Sequence, residues 1–125
     1  MISALLDTQP LLWVLAGDRR LPGWLAEEVD DAPSAFGVSA VSLWEIAIKR
    51  STGKLTVPDH LPDIVSDLGF SELSITRRQV WAVADLPFHH RDPFDRLLIA
   101  QAADLDLPIV SGDRAFAEYG VETRW

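Results

Sequence analysis

The sequence predicts an α/β fold in which a mostly parallel central sheet lies between helices. Short apolar runs of the kind that form fully buried parallel strands occur at 2–6, 36–40 and 107–111. Amphipathic helical patterns separate these runs, and this alternation favours right-handed crossovers between parallel strands. A length of 125 residues suits one hydrophobic core, so we expect a single domain over 1–125.

The remaining elements follow from the spacing of apolar residues. Helices are predicted over 10–15, 21–31 and 41–51, and a short one around 61–68. A strand around 70–75 precedes a helix that Thr76 caps, with Val80 facing inward. A further helix over 92–104 and an edge strand at 121–125 complete the chain.

Composition excludes several classes of protein. The absence of cysteine rules out thiolate zinc sites and cysteine nucleophiles, and it fits a reducing compartment. The apolar start of the chain contains Asp7 and lacks a basic region and a cleavage site, so we expect no signal peptide, no membrane span and a cytoplasmic location. A net charge of −8 argues against broad attachment to nucleic acid, but an enzyme could still meet phosphates through metal ions.

Two acids begin the helix predicted over 92–104. Asp92 stands before Pro93, an arrangement typical of a helix start. Asp95 lies three and four residues before Leu98 and Ile99, so it shares their apolar face and needs a cation or hydrogen bonds there. The alternative is that Asp92 is only a cap and Asp95 only an acid that the helix dipole favours.

Glu45 is in a similar position on the helix predicted over 41–51. It shares one side of that helix with Val41, Trp44 and Ile48, which makes it a natural partner for Asp95. The alternative is a simple pairing between this glutamate and a nearby arginine.

Two more acids, Asp7 and Asp113, each follow a predicted strand. Ligands of open α/β sheets bind at the carboxyl ends of the strands, so both positions are candidate site positions. The alternative is helix capping, by Asp7 or Thr8 for the first helix and by Asp113 for a turn around 114–117.

These four carboxylates can converge at one edge of the sheet. Clustered carboxylates repel one another, so they either take up protons or collect cations. Hard ions such as Mg²⁺ or Mn²⁺ prefer oxygen ligands and can bridge to phosphate. The pattern therefore indicates metal-assisted phosphodiester hydrolysis by the set Asp7, Glu45, Asp95 and Asp113.

Basic side chains and histidines are secondary candidates. An exposed basic rim beside the site is expected from Lys49, Arg50 and Lys54, and Arg77 and Arg78 are candidates for phosphate contacts. The adjacent pair His89-His90 does not predict a zinc site, since neighbouring loop residues seldom point at one ion.

Four short motifs carry a resemblance to a known family. In chain order they are Leu5-Leu6-Asp7-Thr8, Ser42-Leu43-Trp44-Glu45-Ile46, Arg91-Asp92-Pro93-Phe94-Asp95-Arg96-Leu97-Leu98-Ile99-Ala100 and Val110-Ser111-Gly112-Asp113. Together they resemble a PIN-domain ribonuclease, and their order, spacing and the chain length are most similar to the VapC toxins of type II toxin–antitoxin pairs.

The resemblance implies a Rossmann-like sandwich, Mg²⁺-dependent cleavage of RNA, a homodimer and inhibition by a small cognate antitoxin. It implies a metal-binding core of Asp7, Glu45 and Asp95, completed by Asp113.

The same resemblance implies supporting roles for three further residues. Asp92 would be a cap or an outer residue of the site, and Thr8 and Ser111 would support the metal waters. One departure is Gln9-Pro10, where related toxins more often have a histidine, so substrate preference is expected to differ.

Other function classes leave different signatures. A receiver-like regulatory module would need a lysine near the late strands, but Lys49 and Lys54 both lie in the first half. A haloacid-dehalogenase-like phosphotransferase would usually carry a second acid where Gln9 stands. A non-catalytic interaction protein of the same fold stays open, and the intact set of four acids counts against it.

Overall fold

The computed structural model describes residues 1–125. Its five strands form one sheet in the order β3-β2-β1-β4-β5, and every pair of neighbours is parallel. The strands are β1 (Ala4–Leu6), β2 (Phe36–Ser39), β3 (Ser71–Leu73), β4 (Ile109–Val110) and β5 (Thr123–Arg124). The predicted α/β fold with a parallel central sheet is confirmed.

Six α-helices connect and cover these strands. They are α1 (Thr8–Ala16), α2 (Gly23–Asp31), α3 (Ala40–Ser51), α4 (Leu61–Asp67), α5 (Arg77–Ala82) and α6 (Pro93–Leu105). Short 3₁₀ turns lie at Pro33–Ala35, Val83–Asp85 and Arg114–Tyr119. No helix has the length and apolar character needed to cross a membrane.

The core lies on both faces of the sheet. Successive side chains of a strand point to opposite faces, and β1 shows this directly because Ala4 and Leu6 join one apolar cluster while Leu5 joins the other. The second cluster packs α6 against the sheet through Leu98, Ile99 and Ala102. Burial on both faces explains why the central strands are continuous apolar runs.

The strand order determines where the site forms. β1 is flanked by β2 and β4, and Leu6 pairs with Val110 in the register of β1 and β4. The chain leaves these two strands at Asp7 and Ser111, so both residues lie at the same carboxyl edge. β2 leads directly into α3 at this edge.

The predicted inward face of α5 is wrong. Val80 is 51% exposed, whereas the neighbouring Gln79 is 2% exposed. The Gln79 side chain accepts a hydrogen bond from the Thr76 backbone in a capping box and donates one to Asp104. These polar partners bury a glutamine where periodicity favoured a valine.

The predicted inward face of α3 is wrong in part. Glu45 is buried, as are Val41 and Ile46, but Trp44 and Ile48 are 46% and 44% exposed. Trp44 lies at the boundary of the packed face, where its ring contacts Phe94 edge to face at 4.6 Å between centroids.

Candidate metal centre

Asp7 is the buried acid at the end of β1. Its carboxylate accepts hydrogen bonds from the Thr8 backbone N–H and from the Ser111 hydroxyl, each at 2.8 Å. Burial raises the pKa of Asp7 to about 6, and the two hydrogen bonds offset the rise only in part. The charges of Glu45 and Asp113 raise this pKa further, which places both acids within electrostatic reach of Asp7.

Glu45 projects from α3 toward the same edge. The Thr8 hydroxyl donates to one of its carboxylate oxygens at 2.7 Å, and the Lys49 ammonium donates to the other at 2.6 Å. The partner of Glu45 is thus a lysine one turn later and not an arginine. That hydrogen bond raises the pKa of Lys49, and the charges of Asp92 and Asp95 add to the rise, so Lys49 belongs to the acid cluster.

The two acids of α6 have different environments. Asp92 caps the helix, because its side chain accepts hydrogen bonds from the backbone N–H groups of Phe94 and Asp95 at 2.8 and 3.1 Å. Burial raises the pKa of Asp95 to about 7. The charges of Asp7 and Asp92 contribute to this rise, so the Asp95 carboxyl also faces the cluster.

Asp113 caps the turn that follows it and is linked to Asp7 through Ser111. Its carboxylate accepts a hydrogen bond from the Ala115 backbone N–H at 2.9 Å, which caps the following turn. Its own backbone N–H donates to the Ser111 hydroxyl at 3.0 Å, and that hydroxyl bonds Asp7. Ser111 therefore links the two acids at the ends of β1 and β4.

His90 is a member of the cluster that the sequence analysis missed. Its Nε2 lies 2.8 Å from an Asp95 oxygen and 3.7 Å from an Asp113 oxygen. Its Nδ1 accepts a hydrogen bond from the Arg91 backbone N–H at 3.1 Å, so the proton of the neutral ring lies on Nε2 and is donated to Asp95. The only signal in the sequence was its place two residues before the Asp92 cap.

The segment before α6 is held by a buried arginine. The Arg96 guanidinium donates to the backbone carbonyls of Val83, Leu86 and Pro87 at 3.0, 3.2 and 2.7 Å. The Tyr119 hydroxyl accepts a hydrogen bond from the His90 backbone N–H at 2.8 Å. These contacts fix the loop that carries the imidazole.

The other basic candidates do not bond the cluster. Arg50 pairs with Asp59, and Arg78 pairs with Asp104. Arg77 and Lys54 make no ion pair with any of the four acids. Lys49 is therefore the cation that contacts this site.

The donor set fits a hard divalent cation. The proposed ligand atoms are carboxylate oxygens, and the chain has no cysteine, which suits Mg²⁺ or Mn²⁺. Ligand atoms of Asp95 and Asp113, together with the His90 imidazole, all lie within 4.8 Å of one another, whereas the predicted ligands Asp7 and Glu45 are not in this close group. Burial, and with it the repulsion between neighbouring carboxylates, raises the pKa values of Asp7 and Asp95, and a bound cation would favour their charged forms.

The chain is similar in sequence to one domain family and in structure to several solved proteins. A sequence model of the PIN domain family matches residues 4–122, and no curated protein matches the chain. Its structure is similar to a DNA-bound VapBC of Salmonella typhimurium, with a TM-score of 0.75, 16% identity and coverage of 99% of this chain and 98% of that one.

Two further solved structures share the fold. For VapBC2 of Rickettsia felis, bound to a promoter DNA fragment, the TM-score is 0.72 and the identity 12%, with 99% of this chain and 98% of that one covered. For a toxin–antitoxin complex of Klebsiella pneumoniae the TM-score is 0.62 and the identity 19%, with 92% and 91% covered.

Proposed function

This chain belongs to the PIN domain family, and we propose that it is a metal-dependent endoribonuclease that acts as the toxin of a type II toxin–antitoxin pair. One observation carries the proposal. Acids from β1, α3, α6 and the end of β4 lie close together: the charges of Glu45 and Asp113 raise the pKa of Asp7, and those of Asp7 and Glu45 raise the pKa of Asp95. Such repulsion lowers the stability of the folded protein unless a bound cation offsets it.

The proposed ion is Mg²⁺, with Mn²⁺ as an alternative, held by Asp7, Glu45, Asp95 and Asp113. When bound, it supplies polarisation of the phosphodiester and a water of lowered pKa. The chain contributes orientation, since hydroxyls of Thr8 and Ser111 each donate to one of the proposed ligands at 2.7 and 2.8 Å.

Lys49 and His90 shape the charge of this site. Lys49 neutralises one oxygen of Glu45, and His90 donates to Asp95. Both keep the carboxylates aimed at the shared space.

RNA cleavage provides the test. Purified wild type should cleave single-stranded RNA with Mg²⁺ or Mn²⁺ and should stop in EDTA. Asp95→Asn should reduce cleavage by orders of magnitude, while the matched control Asp30→Asn, on the exposed face of α2, should not. Undiminished cleavage by a metal-free preparation, or by Asp95→Asn, would reject the proposed centre.

The toxin role rests on the family and on the fold shared with the toxin–antitoxin complexes. We propose a small antitoxin that lays an amphipathic segment near the site and places a basic side chain among the carboxylates. We also propose that the protein is a homodimer that acts on RNA in the cytoplasm.

Growth of an expressing strain tests the partner. Induction of the wild type should arrest growth, and co-expression of a neighbouring small open reading frame should restore it. If no neighbouring frame restores growth, the toxin–antitoxin assignment is wrong, although the nuclease assignment is unaffected.

A further inference from the structure

An aromatic cavity adjoins the acid cluster. It measures about 340 Å³, within the range of about 300 to 1,000 Å³ that is typical of small-ligand sites. Its lining includes Asp7 and Asp113 together with Trp13 and Trp125. None of the contacts described for the acid cluster involves either tryptophan.

The two rings are held in place by their neighbours. The centroids of Trp13 and Trp125 are 5.8 Å apart, with the rings tilted by 45°. The Arg20 guanidinium lies 4.8 Å from the centroid of the Trp13 ring. Trp125 is 48% exposed, so part of its ring stays available for contact.

Gly112 allows Trp125 to approach the catalytic edge. A Cβ atom at this position would lie 3.0 Å from the Trp125 ring, closer than such contacts normally are. The absence of a side chain thus lets the indole pack on the backbone between Ser111 and Asp113. Because the φ angle of Gly112 is not positive, its backbone conformation does not need a glycine. The position needs a glycine because the Trp125 ring lies so close to it.

The charges of the cavity select a neutral, flat ligand. Its charged lining side chains are both carboxylates, Asp7 and Asp113, which repel a phosphate wherever no cation lies between them and it. The nearby Arg20 is already paired with Asp18 at 2.8 Å. The exposed Gln9 amide also lines the cavity and offers both a donor and an acceptor to a base edge.

We propose that this cavity is a nucleobase subsite, in which the base next to the cleaved phosphodiester stacks on Trp125 and meets the Gln9 amide. This inference rests on the proposed function. Single-stranded RNA is commonly recognised by unstacked bases on aromatic side chains. A phosphate would meet these carboxylates only through the proposed metal ion, and the base of that nucleotide would then lie beside a cavity that shares Asp7 and Asp113 with the metal site.

Nucleoside binding tests the subsite without cleavage. The five tryptophans give five indole N–H signals in an NMR spectrum, which single substitutions assign. Titration with adenosine in EDTA, which involves neither a phosphate nor a metal, should shift the signals of Trp13 and Trp125 saturably. The signal of Trp81, which is 81% exposed, should stay unchanged and is the control. Equal shifts at Trp81, or no saturable shift, would overturn the proposal.

Substrate kinetics provide the second arm. Trp125→Ala should raise KM for a short RNA about tenfold, the usual effect of losing one stacked base, and leave kcat close to wild type. Trp125→Phe should retain most of the affinity, and the control Trp81→Ala should retain all of it. Gly112→Ala should raise KM less than Trp125→Ala does, because a Cβ 3.0 Å from the Trp125 ring makes the indole shift but leaves it in place.

An abasic substrate locates the base. Removing the base beside the cleaved bond should raise the KM of the wild type as much as the Trp125→Ala substitution does. The KM of the Trp125→Ala variant should not rise further with the abasic RNA. Cleavage that is insensitive to both changes would overturn the subsite and leave the nuclease assignment standing.

Saturable adenosine shifts without RNA cleavage would support the subsite while the proposed function fails. If Trp125→Ala weakens only antitoxin binding, the cavity is a protein contact and the proposal is wrong.

Discussion

Asp7 and Asp95 retain their protons to a higher pH in the folded protein than ordinary aspartates do. Their pKa values rise from 3.8 to about 6 and about 7, because burial and neighbouring carboxylates both disfavour the charge. Ionisation of these two groups at neutral pH therefore lowers the free energy of unfolding. A bound cation would stabilise the ionised carboxylates and offset this loss.

The pH dependence of stability follows from these shifts. Between about pH 4 and about pH 7 the folded chain binds more protons at these sites than the unfolded chain, so their contribution to stability falls as pH rises. In EDTA, Asp95→Asn should therefore gain stability over wild type as pH rises through this window. Thermal melts of both proteins, with Asp30→Asn as control, measure the difference.

A stability difference that stays flat or shrinks across the window would contradict this account. Added Mg²⁺ should stabilise the wild type above pH 7 and stabilise Asp95→Asn far less, because the variant lacks a charged ligand.

His90 acts through the carboxylate that it contacts. Its Nε2 lies 2.8 Å from Asp95, so His90→Ala should reduce Mn²⁺ affinity about 10-fold to 100-fold, as the loss of a residue that orients a ligand commonly does. His90→Gln retains an N–H donor and should recover much of this loss. Calorimetric titration with Mn²⁺ distinguishes the variants. Equal affinity in wild type and His90→Ala would show that the imidazole does not orient Asp95.

Sequence reasoning singled out the four acids as candidates but missed the contacts of His90 and Lys49 with them. The acids follow strand ends or fall on helical spacing, which local patterns reveal. The place of His90 depends on Tyr119, which is distant in sequence and bonds its backbone. Periodicity contains no information about such loop contacts. Lys49 was expected on an exposed rim, but it lies one turn from Glu45 and bonds it.

At the scale of an element, the start of α6 combines capping with the site. Asp92 accepts hydrogen bonds from two backbone N–H groups, one of them that of Asp95. Asp92→Ala should lower the free energy of unfolding by about 1 kcal/mol, whereas Asp92→Asn should preserve much of the cap. Urea denaturation measures both.

Activity separates the roles of the two acids. Cleavage should fall only in part in Asp92→Asn and by orders of magnitude in Asp95→Asn. Full activity in Asp95→Asn, with loss only in Asp92→Asn, would show that the metal ligand is assigned to the wrong aspartate.

Element positions were more predictable than helix faces. The strand expected at 2–6 is observed at Ala4–Leu6, and the helix expected over 92–104 at Pro93–Leu105. The face of α5 was wrong because Gln79 finds partners at Asp104 and Gln101, on another helix. A polar side chain with such partners is buried at little cost, and hydrophobic spacing cannot reveal them.

At the scale of the molecule, chain order and burial explain the site. Apolar runs identify central strands, and the parallel order β3-β2-β1-β4-β5 brings the carboxyl ends of β1 and β4 side by side. Ligands of open α/β sheets bind at this edge. The sequence predicted that Asp7 and Asp113 follow strands, whereas the strand order itself emerged only from the structure.

The central claim is that the four acids at this edge hold a divalent metal. The most direct measurement is anomalous scattering from a crystal of the protein grown with Mn²⁺. The account predicts an anomalous peak within coordination distance of the carboxylate oxygens of Asp7, Glu45, Asp95 and Asp113. In crystals of Asp95→Asn this peak should be absent or markedly weaker. A well-ordered wild-type crystal with Mn²⁺ at other positions and none among these carboxylates would contradict it.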